Sequence, residues 1–125
     1  MGLDMYAYFV DLKNAISDEE CRLAYGQVEN FYWRKNHQLH NWIEKLWEKR
    51  TGNTNRSDFN CAKIRLYEKD IDELEKAIKT WKVDDSEPFS CEKYTSYLKE
   101  RDLRFCRAAK EVIKDGYAVY YDSWW

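Results

Sequence analysis

Phe31-Tyr32-Trp33-Arg34-Lys35-Asn36-His37-Gln38-Leu39-His40-Asn41-Trp42 is the stretch densest in aromatic and ionisable side chains, and its reading decides the fold. Upstream, Ser17-Asp18-Glu19-Glu20 has the form of a capping box, with Ser17 as N-cap and Glu20 reaching back. The acids there also suit the positive end of a helix dipole. Together these features predict one helix from the capping box to about Arg50, kinked or divided at Gly26 and closed by Gly52 in a left-handed cap. On such a helix, 100° per residue sorts the side chains into faces. Tyr32, Leu39, Ile43 and Leu46 fall on one face and are expected to meet the core. Trp33, His37, His40, Glu44 and Trp47 fall on another, flanked by Arg34 and Asn41.

Outward from this helix, residues 3–10 alternate. Leu3, Met5, Ala7 and Phe9 point one way, and Asp4, Tyr6, Tyr8 and Val10 the other, which predicts a strand. Residues 51–60 read as a loop, and 61–67 as a second strand. Asp70 with Glu73 marks a helix start, and Ile71, Leu74, Ile78 and Trp81 give that helix one buried stripe. Asp84 to Pro88 breaks the pattern. A third helix is expected from near Ser90, with Tyr94, Tyr97, Leu98, Phe105, Ala108 and Val112 inward and Lys114 and Gly116 closing it. Tyr117–Asp122 is the last strand. The expected order is β-α-β-α-α-β. This is an α+β fold in which long helices pack on a small sheet of about three short strands, all in one domain, residues 1–125.

Composition narrows the function classes. Gly and Pro total 5 of 125 residues, too few for a collagen-like or linker-like chain, and 44% hydrophobic residues supply a core. Acidic and basic residues number 23 and 21, so the net charge of −2 gives no general reason to bind nucleic acid or an anionic membrane. No apolar run approaches the ~18 residues of a spanning helix. The start has no basic region before its apolar stretch, so a cytoplasmic location is expected. Cys21, Cys61, Cys91 and Cys106 have no C-x-x-C spacing. They read as free thiols, with Cys106 a small core residue and no zinc site.

Three readings compete for the stripe that holds both histidines. His37, His40 and Glu44 sit at i, i+3 and i+7, so imidazole and carboxylate can converge on a divalent metal. Alternatively, the region is an anion or nucleotide pocket. Arg34 would offer phosphate a planar fork, Lys35 a point charge, and Trp33 or Trp42 a stacking face, with His40 donating or exchanging a proton. The third reading is a solvated face with structural hydrogen bonds. Arg101 lies on the apolar stripe of the third helix and must pair, snorkel or meet a ligand. Tyr6, Tyr8, Tyr117, Tyr120 and Tyr121 fall in the terminal strands and are either cross-strand pairs or a partner surface. G-x-S-x-G, the P-loop, G-x-G-x-x-G and H-E-x-x-H are all missing, which favours binding over catalysis. A general acid–base pair of the two histidines rests on residue type alone.

The opening Met1-Gly2-Leu3-Asp4-Met5-Tyr6, the central Tyr32-Trp33-Arg34-Lys35 with Leu39-His40-Asn41-Trp42, and the closing Tyr120-Tyr121-Asp122-Ser123-Trp124 resemble a family of small bacteriophage and prophage proteins. That family begins M-G-L-D-M-Y, carries Y-W-R-K followed by I-H-x-W, and ends in an aromatic strand with S-W. The chain departs at Asn36-His37, where the family has Ala-Asn, so His37 lies outside the shared motif. The resemblance implies a phage accessory protein acting in the cytoplasm of the infected bacterium. The expected function is non-enzymatic and without a cofactor: countering host defence by sequestering a phosphorylated or nucleotide small molecule. Trp33, Arg34, Lys35, His40, Trp42 and Arg101 are the expected ligand-binding residues. The alternative is an inhibitor that blocks a host defence protein through its Tyr/Trp surface. A metal protein or enzyme on His37, His40 and Glu44 ranks third. Homo-oligomerisation is compatible with so many aromatics.

Overall fold

The computed structural model describes residues 2–23, 26–87 and 93–125. Its elements are β1 (Asp4–Asp11), β2 (Phe31–Arg34), α1 (His37–Thr51), β3 (Ile64–Leu66), α2 (Glu68–Thr80), α3 (Ser96–Lys114) and β4 (Tyr117–Trp124). Short 3-10 turns occupy Leu12–Asn14 and Arg56–Phe59. The class is α+β as expected, but the order is β-β-α-β-α-α-β and the sheet has four strands. All pairings are antiparallel, in the order β2-β1-β4-β3. Ser90 and Cys91 lie outside the described residues, but the helix expected from near Ser90 begins only at Ser96, where the Thr95 side chain accepts from Leu98 N–H, so Tyr94 precedes the helix instead of lying on its apolar face.

The long helix from Ser17 to Arg50 does not form. Ser17 Oγ accepts from the Glu19 amide, and the Ile16 and Ser17 amides both donate to the Glu20 carbonyl. The capping-box residues therefore close a turn, a conformation Ser and Asp favour as readily as a cap. Long-range bonds hold it there. The Tyr120 hydroxyl donates to the Ser17 and Glu20 carbonyls. Arg65 N–H donates to the Asp18 carbonyl at 2.7 Å. Phe31–Arg34, aromatic and suited to a pleated surface, then adds to β1 as an edge strand. The helix begins only at His37, where the Asn36 side chain accepts from Leu39 N–H, and ends at Gly52 with φ of 72°.

The three helices among the described residues share one apolar core with one face of the sheet. Met5, Ala7, Trp33, Ile64, Leu66, Val119 and Tyr121 line the sheet side, and Leu39, Ile43, Ile71, Leu74, Ile78, Phe105 and Cys106 the helix side. The stripe expected on α2 is buried as read, with Trp81 half-buried beyond its end. On α3 the buried face is rotated: Asp102, Phe105, Cys106 and Ala109 face inward, and Tyr97 is exposed. Tyr32, expected inward, is also exposed. The sheet's other face is half covered. Ala15, Cys21 and Leu23 pack on Val10, Ala118 and Tyr120. Arg101, on α3, donates to the Tyr32 carbonyl of the edge strand β2. No described helix is long and apolar enough to cross a membrane.

Candidate functional site

The opening, central and closing blocks of the sequence meet at one end of the sheet. β1 lies between β2 and β4, so Asp4 faces Arg34 on one side and Trp124 on the other, and Met5 faces Trp33 and Ser123. The chain then turns from β2 into α1 through Lys35, whose φ of 56° is in the left-handed region. Lys35 N–H donates to the Leu3 carbonyl. This turn places Lys35 and the first turn of α1 beside Leu3 and Trp125, the residue that follows β4.

Beneath the turn lies a buried carboxylate. Asp102 is 0% exposed and accepts hydrogen bonds from Trp33 Nε1 at 3.0 Å, Asn36 Nδ2 at 3.0 and 3.1 Å, and the Tyr94 hydroxyl at 2.6 Å. Burial pushes its carboxyl up to about 6, with the three donors and nearby Arg101 acting in the opposite direction. Asn36 therefore has two roles. Its side-chain oxygen caps α1 while its amide nitrogen holds Asp102. This cluster joins β2, the start of α1, the segment before α3 and α3 itself, and positions the turn, with Asn36 and Tyr94 also lining a cavity of about 110 Å³.

The cavity next to this turn has a volume of about 190 Å³ and is lined by Leu3, Lys35, His37, His40, Arg56 and Trp125. His40 is 1% exposed. Its Nδ1 lies 2.6 Å from the Tyr121 hydroxyl, and its ring packs between Phe59 and the edge of Trp125. Its Nε2 is buried with no hydrogen-bond partner among the described residues. Burial, reinforced by the nearby Arg56 and His37, lowers the imidazole to about 4, so it is neutral at pH 7. Burial also holds the Tyr121 phenol well above its ordinary value, so that hydroxyl keeps its proton. The Arg56 Nε donates to Glu44 at 3.1 Å, and its terminal nitrogens make no hydrogen bond to described residues. The Lys35 ammonium likewise has no partner among the described residues. An uncharged ring nitrogen and two cations thus line one small space, and no described acid does.

The expected site residues divide accordingly. Lys35 and His40 share the cavity. Trp33 sits in the core at 2% exposure, with its indole N–H on Asp102, so it offers no stacking face. Arg34 is exposed beside Gly2 and is not on the cavity wall. Trp42 packs half-buried against the core. Arg101 forms no ion pair with a described residue and does not line the cavity. It donates to the Tyr32 carbonyl at 2.7 Å and lies 5.9 Å from the Phe31 ring centre.

The metal reading of His37, His40 and Glu44 is corrected by the same geometry. Glu44 is held by Arg56 and does not line the cavity that His37 and His40 share, so the acidic third ligand is missing. No group of three His, Cys, Asp or Glu among the described residues can hold a metal. Cys21, Cys61 and Cys106 are free, and Cys106 is buried.

Asp102, Asn36, Arg56, Tyr121 and Trp125 are additions that sequence reasoning missed. Only Asp102 carried a signal. It stands four residues after Leu98 and three before Phe105, which puts a carboxylate on a buried stripe. Comparison with protein-family models, with curated proteins and with solved structures finds no match.

Proposed function

We propose that this protein is a non-enzymatic binder that sequesters a small phosphorylated molecule at the Lys35–His40–Arg56 cavity. The observation that carries the reading is His40. A buried polar atom without a partner costs free energy, on the order of 1–3 kcal/mol, so a fold that keeps one on a cavity wall is poised for a ligand to satisfy it. When the Tyr121 hydroxyl donates to Nδ1, Nε2 carries the ring proton and presents a neutral donor beside two cations. That set suits phosphate oxygens, which accept hydrogen bonds and carry negative charge. Trp125 supplies an indole wall against which a sugar or base can pack. A volume of about 190 Å³ is below the roughly 300–1,000 Å³ of sites that engulf a drug-sized ligand. The cavity would therefore hold a phosphoryl head while the rest of the ligand lies across its mouth.

The resemblance of the three sequence blocks to phage and prophage proteins supplies the setting. In that setting the protein acts in the cytoplasm of an infected bacterium and withdraws a nucleotide signal used in defence. Calorimetric titration with nucleoside mono-, di- and triphosphates tests the binding. Saturable binding to the unaltered protein, lost in Lys35→Ala/Arg56→Ala while thermal stability is retained, supports the reading. Absence of binding across the panel overturns it.

A second reading has its own observation. The uncovered half of the outer sheet face exposes Tyr32 and Trp124, with Trp124 64% accessible. Exposed indoles of this kind mark partner surfaces, so a host protein bound there is the alternative. Trp124→Ala would then abolish capture of the partner and leave nucleotide titrations unchanged.

A further inference from the structure

We infer that the uncovered end of the outer sheet face docks a basic segment of a partner protein, with one arginine or lysine head group seated between Trp124, Trp125 and the Asp4 carboxylate. The inference gives the partner of the surface reading its chemistry. It rests on that reading and not on the phosphate cavity.

The strand register fixes which side chains share this face. Asp4 lies opposite Arg34 and Trp124, and Tyr6 opposite Tyr32 and Asp122. Met5 and Ala7 alternate with them and belong to the core, so Asp4 and Tyr6 point the other way. Ala15, Cys21 and Leu23 pack on Val10, Ala118 and Tyr120 farther along the sheet, whereas Tyr32 and Trp124 stay exposed. The Tyr6 and Tyr32 rings meet with 5.5 Å between centres. At the end of the face a cavity of about 210 Å³ is lined by Gly2, Asp4, Trp124 and Trp125. Ring faces attract a cation, and a carboxylate adds the opposite charge, so two indoles and an acid around one small space suit a cationic head group. A drug-sized ligand needs roughly 300–1,000 Å³, which leaves this space to a single side chain.

Charge selects the occupant. One Asp4 oxygen accepts from the Tyr32 hydroxyl, and the carboxylate forms no ion pair with a described residue. Burial, and after it the charges of Asp4, Glu29 and Asp122, hold the Tyr6 phenol above its ordinary value, so three acids border that ring. Glu29 also forms no ion pair with a described residue. Of the bordering cations, Lys63 pairs with Asp122 at 3.5 Å, and the Arg34 guanidinium lies against Gly2 without pairing with Asp4. A nucleic acid or other polyanion would meet Asp4 and Glu29, and a second copy docked face to face would bring acid to acid. An arginine-bearing segment meets both features at once, because guanidinium stacks on aromatic rings and pairs with carboxylates.

The test is isothermal titration of the full chain with tetra-arginine, with tetra-citrulline as its uncharged isostere, and with maltohexaose, all at one ionic strength. The variants are Asp4→Asn, which keeps an acceptor for the Tyr32 hydroxyl, Trp124→Ala and, as an exposed aromatic control on α3, Tyr97→Ala. The expected result is saturable binding of tetra-arginine, about tenfold or more tighter than tetra-citrulline. Asp4→Asn and Trp124→Ala each weaken it about fivefold or more, and Tyr97→Ala changes it by less than about twofold. No binding of tetra-arginine, equal affinity for the two peptides, or equal losses in Asp4→Asn and Tyr97→Ala overturns the inference. Saturable binding of maltohexaose without binding of tetra-arginine assigns the face to a sugar and overturns it as well. If tetra-arginine fails while Trp124→Ala still abolishes capture of a host protein, the basic-segment inference falls alone and the surface reading stands.

Discussion

Two buried residues, Asp102 and His40, set the chemistry at the smallest scale, and burial shifts them in opposite directions. Asp102 is raised to about 6, so between roughly pH 4 and 6 the native state holds a proton that the unfolded chain has released. Stability from this group is therefore greatest at low pH and falls as pH rises through that window. His40 is lowered to about 4, so between about pH 4 and 6.5 the unfolded chain holds the extra proton. Stability from His40 rises with pH. The two slopes oppose, and denaturant midpoints of the unaltered protein should change little on their account across this range. His40→Gln should unmask a decline in stability from pH 4 to 6, and Asp102→Asn a rise. Parallel pH profiles for the two variants would contradict this pairing. Asp102→Ala should cost about 3 kcal/mol or more in urea denaturation, because it strands the Trp33, Asn36 and Tyr94 donors in the interior. Little of this was legible in the sequence. Asp102 lies 66 and 69 residues from two of its partners, and no local pattern reports a contact of that span. Arg101 drew the attention that belonged to its neighbour, because both residues border the same stripe.

At the scale of elements, the turn from β2 into α1 carries the site, and Asn36 fixes it. Asn36→Ala removes an N-cap and one Asp102 donor together, so its cost should exceed the about 1 kcal/mol of an ordinary cap. Gly52→Ala, at the other end of the same helix, meets open space and adds only the left-handed strain, about 1 kcal/mol. Urea denaturation of both variants checks the order, and a double-mutant cycle between Asn36 and Asp102 should give a coupling of about 1 kcal/mol or more. Equal costs with no coupling would reduce Asn36 to a plain cap. The elements with strong periodicity were readable: β1, α2 and the closing strand stand where alternation and the apolar stripe place them. The stretch before α1 was not. Ser17-Asp18-Glu19-Glu20 satisfies a helix-start pattern locally, but Tyr120 and Arg65 draw its carbonyls into the sheet region from over 40 residues away. The aromatic run Phe31–Trp33 did carry a strand preference, but sorting it at 100° per residue concealed this.

For the whole molecule, the order β2-β1-β4-β3 brings together what the chain separates. The start, middle and end of the sequence lie on three adjacent strands, and Leu3, Lys35, His40 and Trp125 wall one cavity as a result. The sequence displayed the three blocks but not their adjacency, since nothing along the chain specifies that β1 sits between the other two. Helices cover one face of the sheet, and residues of the 15–23 segment pack on the other. The central claim is that His40, neutral and held by Tyr121, donates from Nε2 to a bound phosphate. Nitrogen-15 spectra of the histidine-labelled full chain, titrated with inorganic phosphate at pH 7, test it most directly. The account predicts a neutral His40 with the proton on Nε2 and a saturable shift of that nitrogen, abolished in Lys35→Ala/Arg56→Ala. An unprotonated Nε2, or a His40 signal that stays fixed at saturating phosphate, would contradict it.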